Sequence, residues 1–184
     1  MTSVIWLAAA WVMALLRGSH GARVAALLAA CVAGTTFPDL DFNLLLTHRS
    51  AVTHSVLVPL LLLAWTRARA IAPGLTMGMG FHLAADCFPN AMRGYATVKL
   101  PLFGSIGADA SYLWLGANAL VAFAAGLALL DRSLPRGWRV AALAGYAAIG
   151  TSYLFVTDGG WPALAIFAAA GWLAVRRRKA ARTA

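Results

Sequence analysis

Apolar positions dominate this chain and come in long runs, broken by short gaps that carry nearly all of its Arg residues. The runs extend from Val4 to Leu16, Val24 to Phe37, Val52 to Trp65, Ile71 to Cys87, Ala108 to Leu130, Arg139 to Thr157 and Trp161 to Val175. Continuous apolar runs of this length read as helices, and about 17–25 residues are needed to cross the hydrocarbon core of a bilayer. The pattern therefore predicts seven candidate spans. The first three hold only about 13 to 14 strictly apolar residues, so they need flanking residues, a thinned bilayer or cover from neighbouring helices.

Composition narrows the class. Of 184 residues, 61% are hydrophobic and 11% charged, with a mean hydropathy of +0.76, whereas soluble domains carry about 25% charged residues. This composition argues against an ordinary soluble fold, and the length leaves room for six or seven helices with short loops. We expect an all-α, polytopic transmembrane helical bundle forming one membrane domain over residues 1–184. Its motif-bearing half covers about 1–100, additional helices about 108–175 and a basic tail 176–184. The start of the chain has no basic stretch ahead of its apolar run, so a retained first span is expected over a cleaved signal.

The net charge of +9 comes from 13 Arg and 2 Lys against six Asp, with no Glu. These basic residues lie between apolar runs, where membrane topology accounts for them better than nucleic-acid binding. If all seven runs cross, twelve Lys and Arg fall on one side, including Arg23, Arg69, Arg132 and the tail, and only Arg49, Arg93 and Lys99 on the other. The positive-inside rule then places the C-terminus in the cytoplasm and the N-terminus outside. Cys31 and Cys87 show no metal-binding spacing and read as free thiols. Gly74 and Gly78, four apart, suit close approach of helix backbones.

Chemistry is concentrated in one stretch. Three of the four histidines and three of the six aspartates lie between Asp39 and Asp86, in the pieces PDLD, THR, THS and GFHLAAD. An ionisable group near hydrocarbon costs a few kcal/mol, so such a cluster is a functional-site hypothesis. In the seven-span topology all of these groups emerge on the non-cytoplasmic side. His82 and Asp86 share one helix face at a spacing of four. Asp39 and Asp41, two apart in a non-helical turn after Pro38, can aim two carboxylates at one point, and His54 adds a second imidazole. Mixed Asp and His ligands suit Zn, Mn or Fe as a divalent ion. Each piece also has a plain structural reading: Asp39 or Asp41 as a turn or cap residue, His82 and Asp86 as a hydrogen-bonded pair, Ser55 as a helix N-terminal hydroxyl. Asp109 and Asp158 read as helix caps. Arg49 lies inside the cluster, either as a fork for an anionic or phosphorylated substrate or as partner to one of the aspartates.

The pieces PDLD, HRSAVTHS and GFHLAAD, in this order, resemble the YdjM-like family of bacterial inner-membrane metal-dependent hydrolases. The resemblance covers about Gly34 to Asp86. It implies that Asp39, Asp41, His54, His82 and Asp86 match metal or catalytic positions, and that His48, Arg49, Thr53 and Ser55 match a signature segment. Phe42 stands where family members often carry a histidine, and the first span lacks the histidine often found there, which implies one metal or none rather than two. The expected function is thus a membrane-embedded metal-dependent hydrolase acting on a lipid or lipid-linked phosphoester at the non-cytoplasmic face. His48 is the candidate acid or base, with Arg49 and Ser55 as further catalytic candidates. The alternative is a non-catalytic membrane protein, either a metal or ion carrier or a structural assembly protein.

Overall fold

The computed structural model describes residues 2–15, 19–42, 44, 46–64, 68–88 and 92–157, together with 165, 166, 168, 169, 171–173, 176 and 180. The chain is mostly helical. Its α-helices are α1 (Thr2–Leu15), α2 (His20–Gly34), α3 (Leu57–Leu61), α4 (Ala72–Cys87), α5 (Ala108–Ser133) and α6 (Arg136–Val156), and a two-stranded antiparallel hairpin, β1 (Lys99–Leu100) and β2 (Gly104–Ser105), precedes α5. Local chemistry sets several of these limits. Ser19 caps α2 by accepting from the Ala22 amide at 3.2 Å, Pro73 sits in the first turn of α4, and Pro135 stands immediately before α6.

Among the described residues two helices, α5 and α6, are long and apolar enough to cross a membrane. α1 and α2 are apolar but have 14 and 15 residues, roughly 21–23 Å of helix against a hydrocarbon core of about 30 Å. The third predicted span is not one continuous helix. Its first residues form turns in which the Thr53 hydroxyl donates to the Ser50 carbonyl and the Ser55 hydroxyl to the Val52 carbonyl. Only the five residues of α3 and a 3₁₀ turn, Leu62–Ala64, follow. Side chains competing for backbone partners explain the break. The seventh run and the basic tail lie largely outside the described residues.

Helix α4 is the axis of the fold. Every residue in it except Asp86 is buried, as expected of a helix apolar on all sides, and it packs most extensively against α5 and α2, with α6 completing its surround. Against α2 the backbones touch. A methyl group added at Gly78 would lie 2.8 Å from the Gly34 Cα and well inside contact with the Cys31 carbonyl oxygen, and one at Gly74 would run into the Leu27 carbonyl. Against α5 the contact is made by side chains, Phe81 meeting Phe123 edge to face at 5.0 Å. α6 buries Ala142, Tyr146, Gly150 and Leu154, one residue per turn, and leaves Val140, Phe155 and Val156 exposed. Its outward face is therefore apolar, as is much of that of α5, where Leu113 and Val121 are exposed. Cys31 and Cys87 are buried free thiols.

Candidate metal centre

Four side chains from three stretches of chain converge at one end of α4. His82 and Asp86 come from its last turns, Asp39 from the 3₁₀ helix Pro38–Phe42 after α2, and His54 from the turn before α3. The Nε2 atoms of His54 and His82 each stand 3.4 Å from Asp86 Oδ2, and His82 Nε2 is 3.8 Å from Asp39 Oδ1. Asp39, His54 and His82 each offer a ligand atom within 4.8 Å of the others, so this group could hold a metal ion. Bonds of about 2.0–2.2 Å place neighbouring ligands roughly 3–3.6 Å apart in a tetrahedral or octahedral shell, the scale seen between these imidazoles and carboxylates.

The hydrogen bonds behind the imidazoles say which nitrogen faces inward with a lone pair. His82 Nδ1 lies 2.9 Å from the Thr35 carbonyl oxygen, which can only accept, so Nδ1 carries the proton. Tyr153 contributes its hydroxyl at 2.9 Å from the same nitrogen. His54 Nδ1 lies 3.1 Å from Thr53 Oγ1, whose own proton goes to the Ser50 carbonyl, so here too Nδ1 donates. Both Nε2 atoms are buried without a hydrogen-bond partner, as is Asp86 Oδ2. Two ring nitrogens and a carboxylate oxygen facing one another call for positive charge between them, whether a metal ion or a proton on an imidazole, because an orphaned buried acceptor costs about 1–3 kcal/mol. Three carboxylates, Asp39, Asp41 and Asp86, gather around the imidazoles against the one guanidinium of Arg49, an excess of acidic groups that suits a cation. His54 is fully buried and His82 nearly so, while the Asp39 side chain is 45% exposed, so the centre opens to the outside on the Asp39 side.

The structure divides the remaining expected site residues differently from the sequence. Asp39 and Asp41 lie in a 3₁₀ helix, not a non-helical turn. With three residues per turn, side chains two apart diverge by about 120°, so the two carboxylates do not aim at one point. Asp41 instead accepts from the Ser50 amide at 3.3 Å and lies 3.6 Å from His54 Nδ1, behind the imidazole. That is where a carboxylate orients a metal-binding histidine and raises its basicity.

Arg49 faces inward as well. Its Nη2 donates to Asp86 Oδ1 at 2.9 Å and its Nη1 to the Ala96 carbonyl at 2.6 Å. The guanidinium therefore holds the carboxylate that faces both histidines and is not placed as a fork for substrate. Its backbone adopts φ 55°, an uncommon value for a residue other than glycine, secured by backbone bonds from Lys99 N to Arg49 O and from Ala51 N to Lys99 O. Ser55 turns away: its hydroxyl donates to the Val52 carbonyl and accepts from the Leu57 amide, the helix-start role. His48 stacks on Tyr95 with centroids 4.1 Å apart and lies 6.4 Å from the His54 ring. Burial lowers its pKa below the usual imidazole value, against an opposing pull from Asp41.

Several members of the centre carry no signal in sequence spacing. Tyr153 arrives from α6, and Thr35 contributes only its backbone. Trp114 Nε1 donates to the His54 carbonyl at 2.8 Å and Asn118 accepts from the Val56 amide at 3.0 Å, so one face of α5 fixes the turn that carries His54. The pair at a spacing of four, polar within an apolar run, is the one sign of this in the sequence. The chain matches no family model, no curated protein and no solved structure.

Proposed function

We propose that this protein is a polytopic membrane metal-dependent hydrolase of the YdjM-like type, with its centre at the non-cytoplasmic face and a lipid or lipid-linked phosphoester as substrate. The observation that carries the reading is the convergence of two partnerless Nε2 atoms on Asp86 Oδ2, beside the half-exposed carboxylate of Asp39. A bound divalent ion would bring the pKa of a coordinated water toward 7 and polarise a phosphoryl oxygen.

The chain's own residues take defined parts in this reading. His54 and His82 would hold the ion, their rings fixed in place by the partners of their Nδ1 atoms. Asp86 bridges them and is held by Arg49. Asp39 faces the open side, where substrate enters. His48, whose pKa burial lowers, stands beside the centre as the candidate acid or base. The cluster at the ends of helices, rather than midway along them, favours hydrolysis at an interface over carriage of ions through the bilayer. Seven spans with the C-terminus in the cytoplasm complete the proposal, supported by the charge asymmetry of the gaps between apolar runs.

The test is metal content by plasma mass spectrometry on detergent-purified protein, wild type beside His82→Ala, followed by hydrolysis of outer-leaflet phosphoesters. The expected result is about one transition-metal ion per chain, lost together with activity in the variant. No metal above background in wild type would mean that a proton on one imidazole supplies the positive charge, and the cluster would be structural. Metal uptake into proteoliposomes that depends on Asp86, without turnover, would favour a carrier.

A further inference from the structure

At the opposite end of the bundle a second site is formed by elements that contribute nothing to the metal centre. The end of α1, the start of α2, the 3₁₀ turn Ala68–Ala70 and the end of α5 enclose a cleft of about 570 Å³. Three arginines line it from three different elements, Arg23, Arg69 and Arg132, and none of the described residues lining it is acidic. The rest of its wall is largely apolar, with Trp11, Leu27 and Leu134. Arg69 is anchored through Nε, which donates to the Leu63 carbonyl at 2.6 Å, leaving the paired terminal nitrogens of its guanidinium to meet a ligand. Three guanidiniums around one cleft repel one another unless an anion joins them, and their planar forks match phosphate oxygens.

We propose that this cleft binds the phosphate headgroup of an anionic glycerophospholipid, with the guanidiniums on the phosphate and an acyl chain against the apolar wall. A lipid is favoured over a free anion because the basic and apolar linings adjoin, and because the cleft sits at the ends of helices whose outward faces are apolar. Basic pockets between helix ends are where the headgroups of an anionic leaflet are held. The inference rests on the membrane reading above and is independent of the metal centre, so its failure would leave metal content and hydrolysis untouched.

The experiment is thermal unfolding of the full-length chain in detergent with added phosphatidylglycerol, phosphatidylcholine or sodium phosphate, and native mass spectrometry for retained lipid. It compares wild type with the triple variant R23Q/R69Q/R132Q and with R176Q, a charge change elsewhere. All three cleft arginines are exposed, so the triple variant is expected to fold. Phosphatidylglycerol should stabilise wild type and R176Q more than either other addition does. Its affinity for the triple variant should fall at least about tenfold, with unchanged melting in phosphatidylcholine. Equal stabilisation by sodium phosphate would identify a soluble anion as the ligand and overturn the proposal. Equal stabilisation by phosphatidylcholine, or full retention of phosphatidylglycerol by the triple variant, would overturn it too.

Discussion

Replacing Gly78 by alanine tests whether the contact between α2 and α4 sets the geometry of the metal centre. The added methyl would lie 2.8 Å from the Gly34 Cα and deep within contact of the Cys31 carbonyl oxygen. Comfortable carbon–carbon contact is about 3.5–4.0 Å, so α4 must retreat by roughly 0.7 Å or more, and neither obstacle is a side chain that can rotate away. The retreat is felt one turn along the same face, where His82 Nδ1 is held 2.9 Å from the Thr35 carbonyl at the end of α2. Overpacking of this kind costs about 3 kcal/mol at the upper end of its usual range, offset by about 1 kcal/mol of helix propensity. At about 2–4 °C per kcal/mol for a chain of this size, the net loss of about 2 kcal/mol lowers the melting temperature by roughly 4–8 °C. A metal site is recognised by distances good to about 0.2 Å, so affinity should fall at least about tenfold. Melting can be followed by reaction of a thiol dye with the buried Cys31 and Cys87. Gly116→Ala is the control, because its methyl would meet nothing nearer than the Cys87 Sγ at 3.9 Å and should be neutral or slightly stabilising. A Gly78→Ala protein that melts with wild type and keeps its metal would refute the backbone contact and the coupling argued from it.

Two further outcomes follow from the partners of the centre. Arg49→Gln removes the guanidinium from a carboxylate whose side chain is 16% exposed and should cost about 3 kcal/mol; Arg49→Lys should recover only part, since an ammonium does not reproduce the fork that reaches both Asp86 and Ala96, and identical melting of the lysine variant and wild type would contradict that assignment. Asp41→Asn should weaken metal about 10–100-fold in a competitive chelator titration while leaving it saturable, whereas Asp86→Asn should abolish stoichiometric binding; the reverse order would place Asp41 on the ion and Asp86 behind it.

Much of this was legible in the chain because apolar runs dictate helices whatever their partners. α1, α2, α4, α5 and α6 all fall on predicted runs. The third run shows the limit of that rule: hydropathy alone does not register that Ser50, Thr53 and Ser55 spend their side chains on backbone groups of a turn. Spacing placed His82 and Asp86 on one face correctly, because a helix fixes that relation locally. It could not distinguish Asp39 from Asp41, whose different positions depend on a 3₁₀ rather than an irregular turn. Nor could it choose between the two parts open to Arg49, which are settled by the approach of Asp86 and Ala96 from residues far along the chain. Tyr153 was invisible for a related reason: one tyrosine in an apolar helix has no periodic relation to a histidine 71 residues away.

The burial of α4 has a consequence for how the molecule is made. Every charged or imidazole group of the centre lies before residue 87, yet the walls around α4 are supplied in large part by α5 and α6, which leave the ribosome later. Until Trp114 and Asn118 emerge, the turn bearing His54 lacks its clamp, and until Tyr153 follows, His82 Nδ1 has only the Thr35 carbonyl beside it. The first half of the chain is thus not a portable module despite holding all the chemistry. A product truncated before Ala108 would present a glycine-rich helix with unshielded polar groups to quality control, and the centre can mature only after synthesis of the second half.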